Sequence, residues 1–177
     1  DQDDPTFVRA VCDRIRAAGM DIFSTVTMLY QAPEIAFALP GRDAILERFR
    51  AFIRTMGENR LHTLDYDFFL YAPLPATGET LTRECPTRAF DLREALAKPP
   101  VVERPYDADE MWANYDVLMQ AILPTAEEAG VRLALHPDDP PTPSLLGVAR
   151  IFHSMDGLVR AMERYDSPSW GSLLCVG

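Results

Sequence analysis

The chain has 177 residues and 19.9 kDa, is 47% hydrophobic and 25% charged, and can bury a sizeable core, which excludes disordered, collagen-like and coiled-coil classes. Lys plus Arg total 17 against 27 for Asp plus Glu, and a net charge of -10 without any basic run argues against a nucleic-acid partner. The same field repels anions, so an anionic ligand would need a metal ion or a local arginine to reverse the sign.

The first element is a helix over 6–18, with Phe7, Val11 and Ile15 four residues apart, Pro5 before it and Gly19 as its stop. Residues 21–30, DIFSTVTMLY, are rich in β-branched and aromatic types and predict a strand. From Asp43 to Met56, Ile45, Leu46, Phe49, Phe52, Ile53 and Met56 share one helical face, with Gly57 expected to close the helix. LHTLDYDFFLY, 61–71, is a second strand candidate. The Pro-studded stretch 72–106 then reads as loop, far beyond the usual ~12–15 residues, and so as a lid, an insertion or a contact arm.

A long helix follows from about Asp107 to Ala129, with Met111, Tyr115, Leu118, Met119 and Ile122 inward, a kink expected at Pro124 and Gly130 as terminator. VRLALH, 131–136, is a short apolar strand ending on a histidine, and PDDPPTP follows, which fits neither helix nor central strand. Ser154 is placed to cap a helix whose apolar set is Met155, Leu158, Val159 and Met162, broken at Ser167-Pro168. A last strand is expected over 171–176.

This α-β-α-β-loop-α-β-α-β order implies an α/β protein with a parallel sheet and right-handed crossovers. A (β/α)8 TIM barrel typically takes ~250 residues. The expectation is therefore a single domain, 1–177, holding about four parallel strands with their helices, a partial barrel truncated at both ends.

No apolar stretch nears the ~18 residues of a membrane span, and the acidic DQDD start is unlike a signal or transit peptide. Cys12, Cys85 and Cys175 are odd in number, far apart and outside any CxxC motif, which fits a reducing, cytoplasmic setting rather than a disulfide framework. GxGxxG, P-loop, GxSxG and HExxH motifs are all missing.

Chemistry in parallel β/α proteins gathers at the C-terminal ends of strands, and His136 and Cys175 are placed at two successive ends. Neighbouring strands lie ~4.8 Å apart, so an imidazole and a thiolate at matching heights could share a divalent ion. On spacing alone, a satisfied structural histidine and a small buried cysteine are the commoner case. His136-Pro137-Asp138-Asp139-Pro140-Pro141 sets two carboxylates in a stiff loop beside the histidine, suited to orienting an imidazole or to binding sugar hydroxyls. A Pro-rich turn with solvated aspartates would look the same. Asp65 and Asp67 could reach the loop face from the second strand, and Arg42 opens the helix after the Leu39-Pro40-Gly41 turn. His62 falls at the opposite end of its strand, and His153, before a helix cap, reads as a surface residue.

The run Leu133 to Pro141, LALHPDDPP, followed by Leu146-Gly147-Val148-Ala149-Arg150-Ile151 and the Cys175 strand, resembles the mannonate dehydratase family. The Leu39–Asp43 turn with Ile53-Arg54 and Gly57 is similar to that family's second β/α unit, and the likeness runs from about residue 5 to 177. It implies a xylose-isomerase-like TIM barrel and a Mn2+- or Fe2+-dependent lyase taking D-mannonate to 2-keto-3-deoxy-D-gluconate and water in hexuronate (glucuronate) breakdown. His136 and Cys175 match two of the family's metal ligands. A further histidine and aspartate, with the catalytic arginine and tyrosine, are expected beyond residue 177. Asp67 stands where the family usually has asparagine, and the residues after Cys175 also depart from its pattern.

The chemistry suits such a set, since removing the proton beside a carboxylate builds charge on its oxygens that a divalent Lewis acid stabilises. Asp138, Asp139, Asp67 and Arg42 are assigned to substrate contact. The expected partners are a small sugar acid and, left open, a second copy of the chain, with neither nucleic acid nor membrane. A sugar isomerase or epimerase on a similar barrel and a non-catalytic sugar-acid-binding barrel are the rival readings.

Overall fold

The computed structural model describes residues 3–68 and 76–175. Helix α1 spans Pro5–Ala17, its N-terminal amides at Thr6 and Phe7 capped by the Asp4 carboxylate. Strand β1, Thr25–Val26, leads through a 3-10 turn at Leu29–Gln31 and the short α2, Pro33–Ala36, into α3, Arg42–Glu58. After β2, Thr63–Tyr66, come the hairpin β3, Gly78–Thr82, and β4, Cys85–Ala89, then α4, Leu92–Leu96, and α5, Ala108–Ala129. Strand β5, Arg132–Leu135, is followed by a small hairpin of β6, Ser144–Leu145, and β7, Val148–Ala149, by α6, Met155–Arg164, and by β8, Trp170–Ser172.

Strands β1, β2, β5 and β8 form one parallel sheet in that order, as the alternating pattern predicts. The core lies on its helical side. Leu64, Tyr66, Leu133 and Leu135 are buried from the sheet against Phe49, Ile53 and Met56 of α3 and Tyr115, Leu118 and Ile122 of α5. One polar chain threads this core: Trp170 Nε1 donates to the Tyr115 hydroxyl at 3.0 Å, which lies 2.7 Å from that of Tyr66. Burial of this kind is tolerable because each hydroxyl has a partner, and it pushes the Tyr66 and Tyr115 phenols far above their ordinary range.

Several expectations need correction. The first strand is two residues rather than the ten of 21–30, because the chain turns into a 3-10 helix at Leu29. The second is Thr63–Tyr66; residues 69–71 of that expectation lie outside the described residues. The last is Trp170–Ser172, so Cys175 falls three residues past the strand, and 176 lies outside the described residues.

The stretch 72–106 is not all loop: over its described part, from 76 on, it folds into the β3–β4 hairpin and α4. Arg83 and Glu84 make the hairpin turn at φ 50° and 67° without a glycine, and Pro86 sits within β4, so both usual cues were hidden. The expected apolar set of helix α6 is divided: Met155, Val159 and Met162 are exposed, Leu158 packs half-buried against the core, and Ala161 is the buried residue.

Gly57 does not close α3 but lies within it, for a packing reason. A Cβ there would stand 2.6 Å from the Ala129 carbonyl oxygen at the end of α5. Alanine would gain ~1 kcal/mol in helix propensity, whereas forcing two backbones apart costs ~1–3 kcal/mol, and the clash is with an unyielding carbonyl. Gly57→Ala is therefore expected to lower stability by about 1–2 kcal/mol, read as a lower urea midpoint at unchanged slope.

Candidate active site at the C-terminal edge of the sheet

Register decides which side chains meet. Leu64 pairs with Leu133, Asp65 with Ala134 and Tyr66 with Leu135, so the buried Leu and Tyr positions take the helical face and Asp65 and Ala134 the other. One residue beyond each strand the order continues: the His136 amide donates to the Tyr66 carbonyl at 2.8 Å, and Asp67 and His136 come side by side. Asp67 Oδ1 lies 3.3 Å from His136 Nδ1, with the side chains 16% and 26% exposed. The same Nδ1 lies 2.6 Å from the Pro137 carbonyl oxygen. Tyr30, carried by the 3-10 turn after β1, donates its hydroxyl to Asp67. Burial raises the Asp67 carboxyl above its ordinary range, against the opposing pull of His136, Tyr30 and Arg150. On the same face Ser24 Oγ donates to Asp65 at 3.0 Å.

The loop after β5 is fastened by a buried ion pair. The Asp138 amide donates to the Phe152 carbonyl at 3.1 Å, the Phe152 amide returns a bond to Asp138 Oδ2 at 2.8 Å, and Arg150 stands 3.4 Å from Oδ1. The Asp138 and Arg150 side chains are 2% and 6% exposed. Burial pushes the Asp138 carboxyl up and the Arg150 guanidinium down, each opposed by the other's charge. The β6–β7 hairpin delivers Arg150 to this place. Its two-residue turn, Leu146 at φ 53° and Gly147 at φ 92°, is the left-handed pair of a type I′ turn, and the Arg150 amide closes back on the Pro143 carbonyl at 3.0 Å. The Asp139–Pro140 peptide is cis.

The residues singled out from sequence therefore divide. His136 and Asp67 are brought together, and Asp138 sits beside them but is committed to Arg150 and Phe152. Asp139 is exposed on the same loop. Arg42 is the first residue of α3 after Gly41 at φ 96°, and its buried Nε has no hydrogen-bond partner among the described residues. Cys175 is exposed, and its amide bonds the Leu173 carbonyl, so the backbone turns there instead of extending the strand. It borders a cavity of about 560 Å3 with Asp138, His153, Leu158, Met162 and Trp170, which His136 does not line. Among the described residues no group of three or more His, Cys, Asp or Glu is gathered as a metal site. His153, read as a surface residue, is half-buried and bonds the Arg150 carbonyl.

Arg150 was missed as a site residue. Its signal was an arginine enclosed by Val148, Ile151 and Phe152, a context in which a charge needs a buried counter-ion. Tyr30 carried no such signal, because only the fold brings the turn after β1 to the end of β2.

Comparison with known proteins adds the following. A family model described as D-mannonate dehydratase (UxuA) matches residues 80–177. A mannonate dehydratase of Streptococcus suis (strain 05ZYH33) is 30% identical over 92% of this chain and 51% of its own length. The crystal structure of mannonate dehydratase from Streptococcus suis serotype2 superposes with TM-score 0.80 at 30% identity, over 98% of this chain and 51% of that one. That of a 3-keto-D-glucoside 4-epimerase from E. coli reaches 0.61 at 11% identity, over 94% and 52%, a likeness of fold alone. These neighbours are TIM-barrel-like, and the chain spans about half the length of the curated relatives it matches.

Removing one member of the Asp138–Arg150 pair leaves the other charge buried. Arg150→Met is expected to cost about 3–5 kcal/mol, and Asp138→Asn with Arg150→Met together clearly less than the sum of the two single changes. Urea unfolding of the three variants measures the cycle; additive losses would mean that the pair does not interact.

Proposed function

The chain belongs to the D-mannonate dehydratase family, and from that membership we propose that the protein is a metal-dependent lyase removing water from D-mannonate to give 2-keto-3-deoxy-D-gluconate. Its place is hexuronate breakdown in the cytoplasm. No helix among the described residues is long and apolar enough to cross a membrane, and the cysteines Cys12, Cys85 and Cys175 are all free thiols. The observation that carries the reading, beside the family, is the location of His136: it follows β5 directly on the C-terminal rim, with Nδ1 occupied by the Pro137 carbonyl and Asp67.

The donor chemistry fits a divalent transition metal. An imidazole engaged at Nδ1 offers Nε2, and an exposed thiol such as Cys175 adds a soft ligand, a mixture suited to Fe2+, Mn2+ or Zn2+ rather than to Mg2+ or Ca2+; membership of the family, not the donor set, is our ground for preferring Mn2+ or Fe2+. His136 and Cys175 are the residues we assign to the ion. When bound, it would supply a Lewis acid for the charge that builds on the sugar-acid carboxylate as the neighbouring proton leaves.

The remaining work falls to the chain. The Asp138–Arg150 pair and the bonds to Phe152 hold the loop that follows His136. Asp139, exposed on that loop, is placed to accept hydrogen bonds from sugar hydroxyls, and Arg42 at the start of α3 to meet an anionic group. We assign the proton-transfer groups to chain beyond residue 177.

Turnover of D-mannonate by the intact protein with added Mn2+ is expected to yield a 2-keto-3-deoxy acid with loss of water, seen by mass spectrometry. A product of unchanged mass would indicate an isomerase or epimerase, and binding without turnover a non-catalytic barrel. His136→Ala and Cys175→Ala should each abolish turnover and lose the metal on gel filtration; wild-type metal content in both would overturn the ligand assignment.

A further inference from the structure

The His136 imidazole touches only acceptors at Nδ1. The Pro137 carbonyl oxygen, 2.6 Å away, has no proton to give, and the Asp67 carboxylate, 3.3 Å away, already receives the Tyr30 hydroxyl. In a neutral ring one nitrogen bears the proton and the other the lone pair, so a nitrogen facing two acceptors is the protonated one. The lone pair is then on Nε2.

We propose that Asp67 is a positioning residue that fixes His136 in the Nδ1–H tautomer and in the ring orientation needed to ligate a metal through Nε2. This rests on the metal-dependent reading of His136. The two acceptors do different things. The Pro137 carbonyl belongs to the residue next to the histidine and moves with it, so it sets the tautomer without fixing the ring against the sheet. Asp67 comes from the neighbouring strand and supplies that external reference. Parallel register places it there: Tyr66 pairs with Leu135, the His136 amide bonds the Tyr66 carbonyl, and the next residue of each strand shares a face. Tyr30 braces the carboxylate from a third segment, while Gln31 Nε2 donates to the Tyr30 hydroxyl at 3.2 Å. A carboxylate on a ligating imidazole also makes the ring a stronger electron donor, and loss of such a partner weakens metal affinity roughly 10–100-fold.

The test uses the intact metal-free protein, with Mn2+ as the probe and Kd measured by calorimetry. Asp67→Ala should bind Mn2+ roughly 10–100-fold more weakly. Asp67→Asn, which keeps the shape and a side-chain oxygen beside Nδ1, should recover most of the loss, and Asp67→Leu should behave like alanine and serves in its place if Asp67→Ala does not fold. Nitrogen-15 NMR of the wild type should show His136 protonated at Nδ1 before metal is added. A wild-type Kd in Asp67→Ala or Asp67→Leu, with His136→Ala unable to bind, would remove the positioning role and leave the metal assignment standing. Protonation at Nε2 in the metal-free wild type would overturn the tautomer argument. Wild-type binding by His136→Ala would unseat the ligand itself and the role of Asp67 with it.

Discussion

The arrangement of this site depends on the parity of a parallel sheet. Side chains alternate along a strand, and in parallel register aligned residues share a face, so the pairing of Leu64 with Leu133 and of Tyr66 with Leu135 fixes every other position on both strands. Those four side chains are fully or almost fully buried against α3 and α5. At ~1.5–3 kcal/mol for each large apolar side chain buried, slipping one strand by a residue would expose most of that set and bury Asp65 in its place. The core thereby dictates the position of Asp67 and His136 without touching either. Packing on one face, rather than any attraction between the polar groups, brings them to 3.3 Å.

A second device holds the loop once the strand has delivered it. HPDDPP cannot take helix or sheet hydrogen bonds throughout, since its prolines lack donors, and a loop of that kind needs side chains to anchor it. Asp138 provides both: its backbone amide and its carboxylate exchange bonds with the Phe152 main chain, and Arg150 neutralises it. Burying two ions is costly, and apolar replacements of the same volume would hold a fold as well or better. The pair earns its place through geometry, because it ties the residues after β5 to those before α6. Gly157 reinforces the tie from the other side, where a Cβ would stand 2.1 Å from the Ile151 carbonyl oxygen.

Much of the fold was legible because it is written in period. The i, i+4 and i+7 apolar face of α3, the long Gly130-terminated α5, and the apolar run of β5 are each seen as read, give or take a residue or two. The failures have physical causes. β1 is short because its β-branched run reflects local propensity, while tertiary packing of Leu29 and Tyr30 pulls the chain into a turn. The β3–β4 hairpin escaped notice because its residues are exposed along nearly their whole length and show no buried alternation. In α6 the amphipathic pattern is real but its apolar side is open, with Met155 70% and Met162 56% exposed. Periodicity states that a face is apolar and not what covers it. At the site, His136 was legible from its strand end, whereas its contact with Asp67 required the register between β2 and β5, which no single strand encodes.

Charge at the C-terminal rim bears on what can bind there. Asp67, Asp138 and Asp139 stand within one another's field, and Arg150 is turned inward onto Asp138. Its guanidinium also acts on Asp67 and Asp139, but its side chain is 6% exposed and is spent on holding the loop. Arg42 is the other cation we assign to the rim, and it must offset a chain whose net charge is -10. A sugar acid approaching this edge brings another negative charge. Without a further cation its carboxylate would meet a repulsive field in a partly desolvated setting, where charges interact more strongly than in water. On the proposal that His136 and Cys175 hold a divalent ion and that the ligand is a sugar acid, that ion would reverse the sign at the rim, so the acidity of the rim is compatible with the metal-dependent reading.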